Sequence, residues 1–124
     1  MKYLASFILF LFFTNCATYK KVEFVFMPTM KPDVKAEMLR QAKLGYIHFK
    51  VSCAQCHTKK TLFGTKIYDF TSEQINSYEL RRSNKTHETA LTTDKVTTEE
   101  IGYILNFLSY KKNSGLPHIS THKD

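Results

Sequence analysis

Cysteine is scarce in this chain of 124 residues: there are three, and none follows Cys56. A structural zinc site wants four ligands, usually a second C-x-x-C or a spaced histidine pair, and no such partner set is present. Long apolar runs are also missing. Leu4 to Phe13, broken only by Ser6, is about ten residues against the ~20 that a helix needs to cross a bilayer, which argues against a permanent transmembrane anchor there. Acidic residues are outnumbered, 11 Asp and Glu to 18 Lys and Arg, for a net charge of +7. The excess gathers at Lys59-Lys60, Arg81-Arg82-Lys85 and Lys111-Lys112. It suits an acidic partner or an anionic membrane surface, or is simply a solvated basic face. No nucleic-acid motif accompanies it, so nucleic acid is not an expected partner. No Ser/His/Asp arrangement can be argued and the carboxylates gather at helix starts, so no enzyme is expected.

What is present is Cys53-Ala54-Gln55-Cys56-His57, a C-x-x-C-H run. The string reads as a covalent haem attachment site. Two thiols three positions apart lie about one helical turn from each other, so both can add to haem vinyl groups while the next residue offers its imidazole to the iron. A thioredoxin-like redox pair would sit between a strand and a helix of a βαβ unit, whereas the flanks here read as helical. The expected cofactor is one covalent haem c, with Cys53 and Cys56 as thioether positions and His57 as proximal ligand.

The N-terminus reads as an export signal: a basic start at Met1-Lys2, then the apolar run, then Cys16 after Thr14-Asn15. Haem attachment uses two cysteines and leaves Cys16 alone, where a bacterial lipoprotein signal places its lipidated cysteine. The match departs from the usual form at Phe13 and Asn15, and cleavage near Ala17 or an uncleaved signal are the alternatives. Acylation at Cys16 would tether a soluble domain to a membrane, which implies an exported, periplasmic protein. The remaining length suits one small domain and not two. The expected organisation is a signal over 1–15, a tether over 16–32 with one short extended piece at Val22 to Phe26, a domain over 33–113, and a polar tail over 114–124.

Within the domain, Asp33 is the expected cap of a helix preceded by Pro32, with Val34, Met38, Ala42, Gly45 and Phe49 recurring at three- and four-residue steps up to the C-x-x-C-H run. A loop should follow through Gly64. Thr71-Ser72-Glu73-Gln74 has the form of a capping box with Phe70 and Ile75 as hydrophobic staple, opening a helix to about Arg82. The device recurs at Thr97-Thr98-Glu99-Glu100 with Val96 and Ile101. Ile101, Ile104, Leu105 and Leu108 then form the stripe of a final helix ending near Lys112, whose lysines suit its negative end. Thr86 to Thr98 reads as loop. The expected fold is all-α, three to four helices without a convincing sheet.

On these residues the chain resembles the small monohaem cytochrome c family over roughly residues 35 to 112. That family has a glycine eight residues and an aromatic four residues before its first haem cysteine; here these are Gly45 and Phe49. The resemblance implies a closing helix over Thr97 to Lys111 that crosses at Gly45 through Ile104, Phe107 and Leu108, around one covalently bound haem. It also implies single-electron transfer between redox donor and acceptor proteins. Two features depart from the family. Its sixth ligand is usually a methionine before the closing helix, yet Met1, Met27, Met30 and Met38 all precede the haem motif. Many relatives orient the proximal imidazole with a proline carbonyl in the loop after the motif, and no proline stands there, so another acceptor is expected.

His87, 30 residues after His57, stands about where that methionine would come and is the expected second axial ligand. His118 and His122 in the tail, Met27 or Met30, and an open sixth position are the alternatives; His48 lies on the helix feeding the motif, on the wrong side of the porphyrin. Tyr68, Tyr78 and Lys85 are candidates to meet haem propionates, and Phe63, Phe70, Ile75 and Leu91 to line the pocket. The expected function is a membrane-tethered electron carrier. The alternatives are a haem-based ligand or redox sensor with an open or weak sixth site, and an accessory electron-transfer subunit of a larger oxidoreductase.

Overall fold

The structure is a computed structural model in which residues 19–115 are described. The signal segment, Cys16, His118 and His122 therefore lie outside the described residues. Among the described residues the chain is mostly helical, with six helices and one small two-stranded sheet.

Helix α1 (Pro32–Ser52) starts two residues earlier than a cap at Asp33 would allow: Pro32 stands in the first turn and Lys31 holds the cap position in an extended conformation. Proline suits that place because its fixed φ is already helical and its missing N–H would have had no partner. Asp33 lies in the first turn, where its charge faces the positive helix end. Ala42, Gly45 and Phe49 form the buried stripe. The outer end, Val34 included, stays exposed.

The short helix α2 (Ala54–His57) follows Cys53 directly and is succeeded by strand β1 (Thr58–Thr61) and strand β2 (Gly64–Ile67). These pair antiparallel, Thr58 opposite Ile67 and Thr61 opposite Gly64. The hairpin replaces the loop expected here and adds a small sheet to the mostly helical fold. It closes over only Leu62 and Phe63 because Gly64 takes a φ of 109° and the Thr61 hydroxyl donates to the Gly64 carbonyl at 2.6 Å. Thr65 and Ile67 are buried and Lys66 is exposed, the alternation of a half-buried strand.

Helix α3 (Ser72–Asn76) and helix α4 (Tyr78–Arg82) divide at Ser77 what the sequence suggested as one helix. The Ser77 hydroxyl donates to the Glu73 carbonyl at 2.6 Å, a local competitor to regular helix bonding. Helix α5 (Lys85–Ala90) stands where loop was expected; Asn84 caps it by accepting the His87 N–H at 3.0 Å. Its threonines weaken the helical signal in the sequence, while the cap supplies the local bond that starts the turn. Helix α6 (Thr98–Tyr110) opens, like α3, with a complete capping box. Val96 and Ile101 are both buried as the staple pair.

The α1–α6 crossing is the centre of the molecule. A Cβ on Gly45 would overlap the Tyr103 carbonyl and come within 2.8 Å of the Phe107 Cβ, so only glycine permits this approach. Phe49 and Phe107 fill the crossing with ring centroids 5.4 Å apart and almost no exposure. The segment read as a tether is packed along this core from Tyr19 onward. The Val25 N–H donates to the Tyr110 carbonyl at 2.8 Å, and Phe26 stacks on Tyr110 at 4.7 Å. The terminal lysines of α6 act by pairing across the chain: Lys111 with Asp69, and Lys112 with Glu23 at 2.6 Å.

Candidate functional site

Helices α1, α3, α4, α5 and α6 enclose a cavity of about 460 Å³, within the range of small-molecule and cofactor sites. Its wall is mainly apolar. Phe49 and Cys53 come from the end of α1, Phe70 and Ile75 from the α3 staple, Leu91 from beyond α5, and Ile101, Ile104, Leu105 and Leu108 from α6. The amphipathic stripe of α6 thus does two jobs, one part closing against α1 and the other facing the cavity.

The C-x-x-C-H run forms one tight turn at the rim. The Cys53 carbonyl accepts from both the Cys56 N–H at 3.2 Å and the His57 N–H at 3.0 Å, so the motif is wound as the sequence spacing suggested. Cys53 is partly buried and faces the cavity, whereas Cys56 is exposed. Burial, with Cys56 adding to it, pushes the Cys53 thiol up to about 11.

His57 and His87 both line the cavity, with ring centroids 5.9 Å apart and planes tilted by 34°. His87 stands on α5, and its Nδ1 lies 2.8 Å from the Arg81 carbonyl. A carbonyl can only accept, so Nδ1 carries a proton, and Nε2 is the nitrogen with the lone pair in the neutral imidazole. That is the arrangement by which a metal-binding imidazole is oriented from behind. His57 packs against Phe70 at 5.3 Å. Burial first, and the neighbouring His87 second, hold His57 below its ordinary value, which favours the neutral imidazole that a metal needs. Among the described residues no hydrogen bond holds the His57 ring, so the acceptor expected in place of the missing proline is not found there and packing on Phe70 orients it instead.

The residues present fit a haem. Two thiols one helical turn apart and two imidazoles lining one cavity, ring centroids 5.9 Å apart, are the side chains that would hold a covalent haem and its iron. The Tyr78 hydroxyl is buried in the cavity wall without a hydrogen-bond partner among the described residues, and Arg81 and Tyr68 line the same cavity. A carboxylate of a bound group would satisfy that orphaned donor. Among the described residues no three His, Cys, Asp or Glu side chains gather as a metal site.

Other expected site residues sort clearly. Phe70, Ile75 and Leu91 line the cavity as expected. Phe63 does not: it is 81% exposed at the hairpin tip, a correction that follows from the unforeseen β-turn. Lys85 is exposed and does not line the cavity, nor do Met27, Met30 and Met38. His48 pairs with Glu100 at 3.2 Å on the outside of the α1–α6 crossing, away from the cavity. The sequence reading missed Arg81 and Asn84, which hold His87 through backbone and cap; the Asn84 cap three residues before His87 was the available signal.

Comparison with protein-family models, curated proteins and solved structures returns no match to this chain. The chemical reading therefore stands on the cavity and its two imidazoles.

Proposed function

We propose that this chain is a monohaem c-type cytochrome that carries single electrons at the outer, periplasmic side of a membrane. The observation that carries the reading is the His57–His87 pair, 5.9 Å apart across an apolar cavity whose rim is the C-x-x-C-H turn. Cys53 and Cys56 would hold the haem by thioether bonds and His57 and His87 would bind its iron. The α1–α6 crossing at Gly45, with Phe49 against Phe107, supports the resemblance to the cytochrome c fold.

When bound, the haem supplies a one-electron couple. The chain supplies everything else. His87 donates from Nδ1 to the Arg81 carbonyl, which leaves Nε2 as the nitrogen turned to a ligand, and burial with the neighbouring His87 favours the neutral form of His57. The α6 stripe and Phe70 give the cavity a mainly apolar wall, while Tyr78 and Arg81 offer hydrogen-bond donors to carboxylates. With two imidazoles and no methionine among the described residues of the cavity wall, the potential falls below that of His/Met relatives. The N-terminal sequence supports export and a membrane tether at Cys16, and the net charge of +7 supports an acidic redox partner.

The test is the absorption spectrum of protein matured in a periplasm, oxidised and reduced, with carbon monoxide added to the reduced form. Low-spin bands and refusal of carbon monoxide support the carrier. A high-spin spectrum with rapid carbon monoxide binding turns the reading to a haem sensor, and absence of covalent haem overturns it.

A further inference from the structure

The β1–β2 hairpin ends in two large apolar side chains that face solvent: Leu62 is 98% exposed and Phe63 81%. Two adjacent apolar residues at a turn have no folding role, since neither packs on the core, and leaving both in water forgoes the gain of burying them. Basic side chains gather around them. Lys59 and Lys60 on β1 and Lys66 on β2 are exposed, and Lys20 reaches over the Phe63 ring at 5.7 Å. Of these, Lys66 is engaged by Asp69 at 3.4 Å, at the far end of the strand from the tip.

The course of the chain brings this tip to the N-terminal end. Tyr19 bridges Thr65 on β2, and the Lys20 N–H donates to the Thr65 carbonyl at 3.3 Å, so the backbone enters the described domain beside the hairpin turn. Cys16 is three residues upstream and so within roughly 11 Å of Tyr19 at full extension. The apolar run Leu4 to Phe13 precedes it.

We propose that the Leu62–Phe63 tip is a membrane-contact device that inserts into an anionic bilayer surface, with Lys20, Lys59 and Lys60 meeting lipid headgroups. An apolar wedge ringed by basic side chains is the combination that interfacial binding uses, apolar burial adding to electrostatic attraction. It makes a second contact next to the N-terminal anchor and fixes the orientation of the domain on the membrane. One of its arguments rests on reading the N-terminus as membrane-bound, but none rests on haem.

The sequence contains no tryptophan, so Phe63→Trp gives a fluorophore that reports on the tip alone. The full chain with Phe63→Trp is reconstituted with vesicles of phosphatidylcholine, with or without phosphatidylglycerol. The expected result is blue-shifted emission and quenching by brominated acyl chains on the anionic vesicles. Lys59→Gln and Lys60→Gln should each lower the inserted-to-free ratio by about fivefold, and high salt should act in the same direction. Leu80→Trp, an exposed apolar site on α4, is the control that stays in water. A chain that floats with the vesicles while the indole introduced by Phe63→Trp remains water-exposed overturns the hairpin contact and leaves the anchor standing; a chain that does not float overturns both. A blue shift without lipid that grows with protein concentration, or one produced by an acidic polypeptide alone, overturns the membrane assignment in favour of a second copy or a protein partner.

Discussion

His87 faces His57 across the cavity at 5.9 Å while its own Nδ1 proton is held by the Arg81 carbonyl. One helical turn, opened by the Asn84 cap, thus places an imidazole opposite the C-x-x-C-H motif with the correct nitrogen free. In the haem-loaded protein, His87→Ala should convert a low-spin spectrum to high-spin and open the iron to carbon monoxide. An unchanged low-spin spectrum would move the second ligand to another residue. Asn84→Ala, which removes only the cap, should keep the ligand but cost about 0.5–2 kcal/mol of stability, read by denaturant titration.

The two α-helical glycines should respond in opposite senses. At Gly45 a methyl group would meet the Tyr103 carbonyl, a backbone group that cannot move aside, so Gly45→Ala should destabilise by about 1–3 kcal/mol or more. At Gly102 nothing lies within 4 Å of an added Cβ, so Gly102→Ala should stabilise by about 0.5–1 kcal/mol through helix propensity. Urea midpoints of the pair check both signs in one experiment.

Asp69 links stability to acid. Burial acts to raise its carboxyl, but the Lys111 ammonium, with Lys66 beyond it, outweighs that and holds the carboxyl below its ordinary value. Its contribution is therefore complete above the unfolded value of about 3.9 and is lost as pH falls through the lower folded one. Asp69→Asn should remove that part of the acid dependence. At neutral pH it should cost about 1–3 kcal/mol, because Lys111 is buried and loses its ionic partner. Unfolding curves for the two proteins, measured from about pH 2 to about pH 7, decide it.

In protein without haem the two motif thiols should be unequal. Cys56 is exposed, whereas Cys53 is partly buried and its thiol is pushed up to about 11. That lowers the Cys53 thiolate fraction at neutral pH roughly a hundredfold below that of an unperturbed thiol. Alkylation followed by peptide mass analysis should find Cys56 modified first, and equal rates would show that the Cys53 environment opens in solution.

The residue pattern was sufficient for features whose cause is local. Both capping boxes and their staples are spelled in runs of a few residues, as is the winding of Cys53 to His57, because the bonding groups lie within one turn of each other. Gly45 and Phe49 were expected at a helix crossing through the resemblance to the cytochrome c family, and the close approach at Gly45 gives that expectation its physical reason. The break at Ser77 and the helix carrying His87 were less visible, since a hydroxyl can compete with the helix or cap it, and only the surrounding packing selects between them.

Composition and short-range chemistry were enough to specify a mostly helical unit, a C-x-x-C-H turn and a basic, cysteine-poor chain. Long-range packing settled the rest: residues after Tyr19 lie on the core, Phe63 leaves the cavity for a hairpin tip, and His87 meets His57. Those outcomes depend on contacts between residues far apart in the chain, where the energy of closing one surface on another, and not the preference of any short segment, selects the partner.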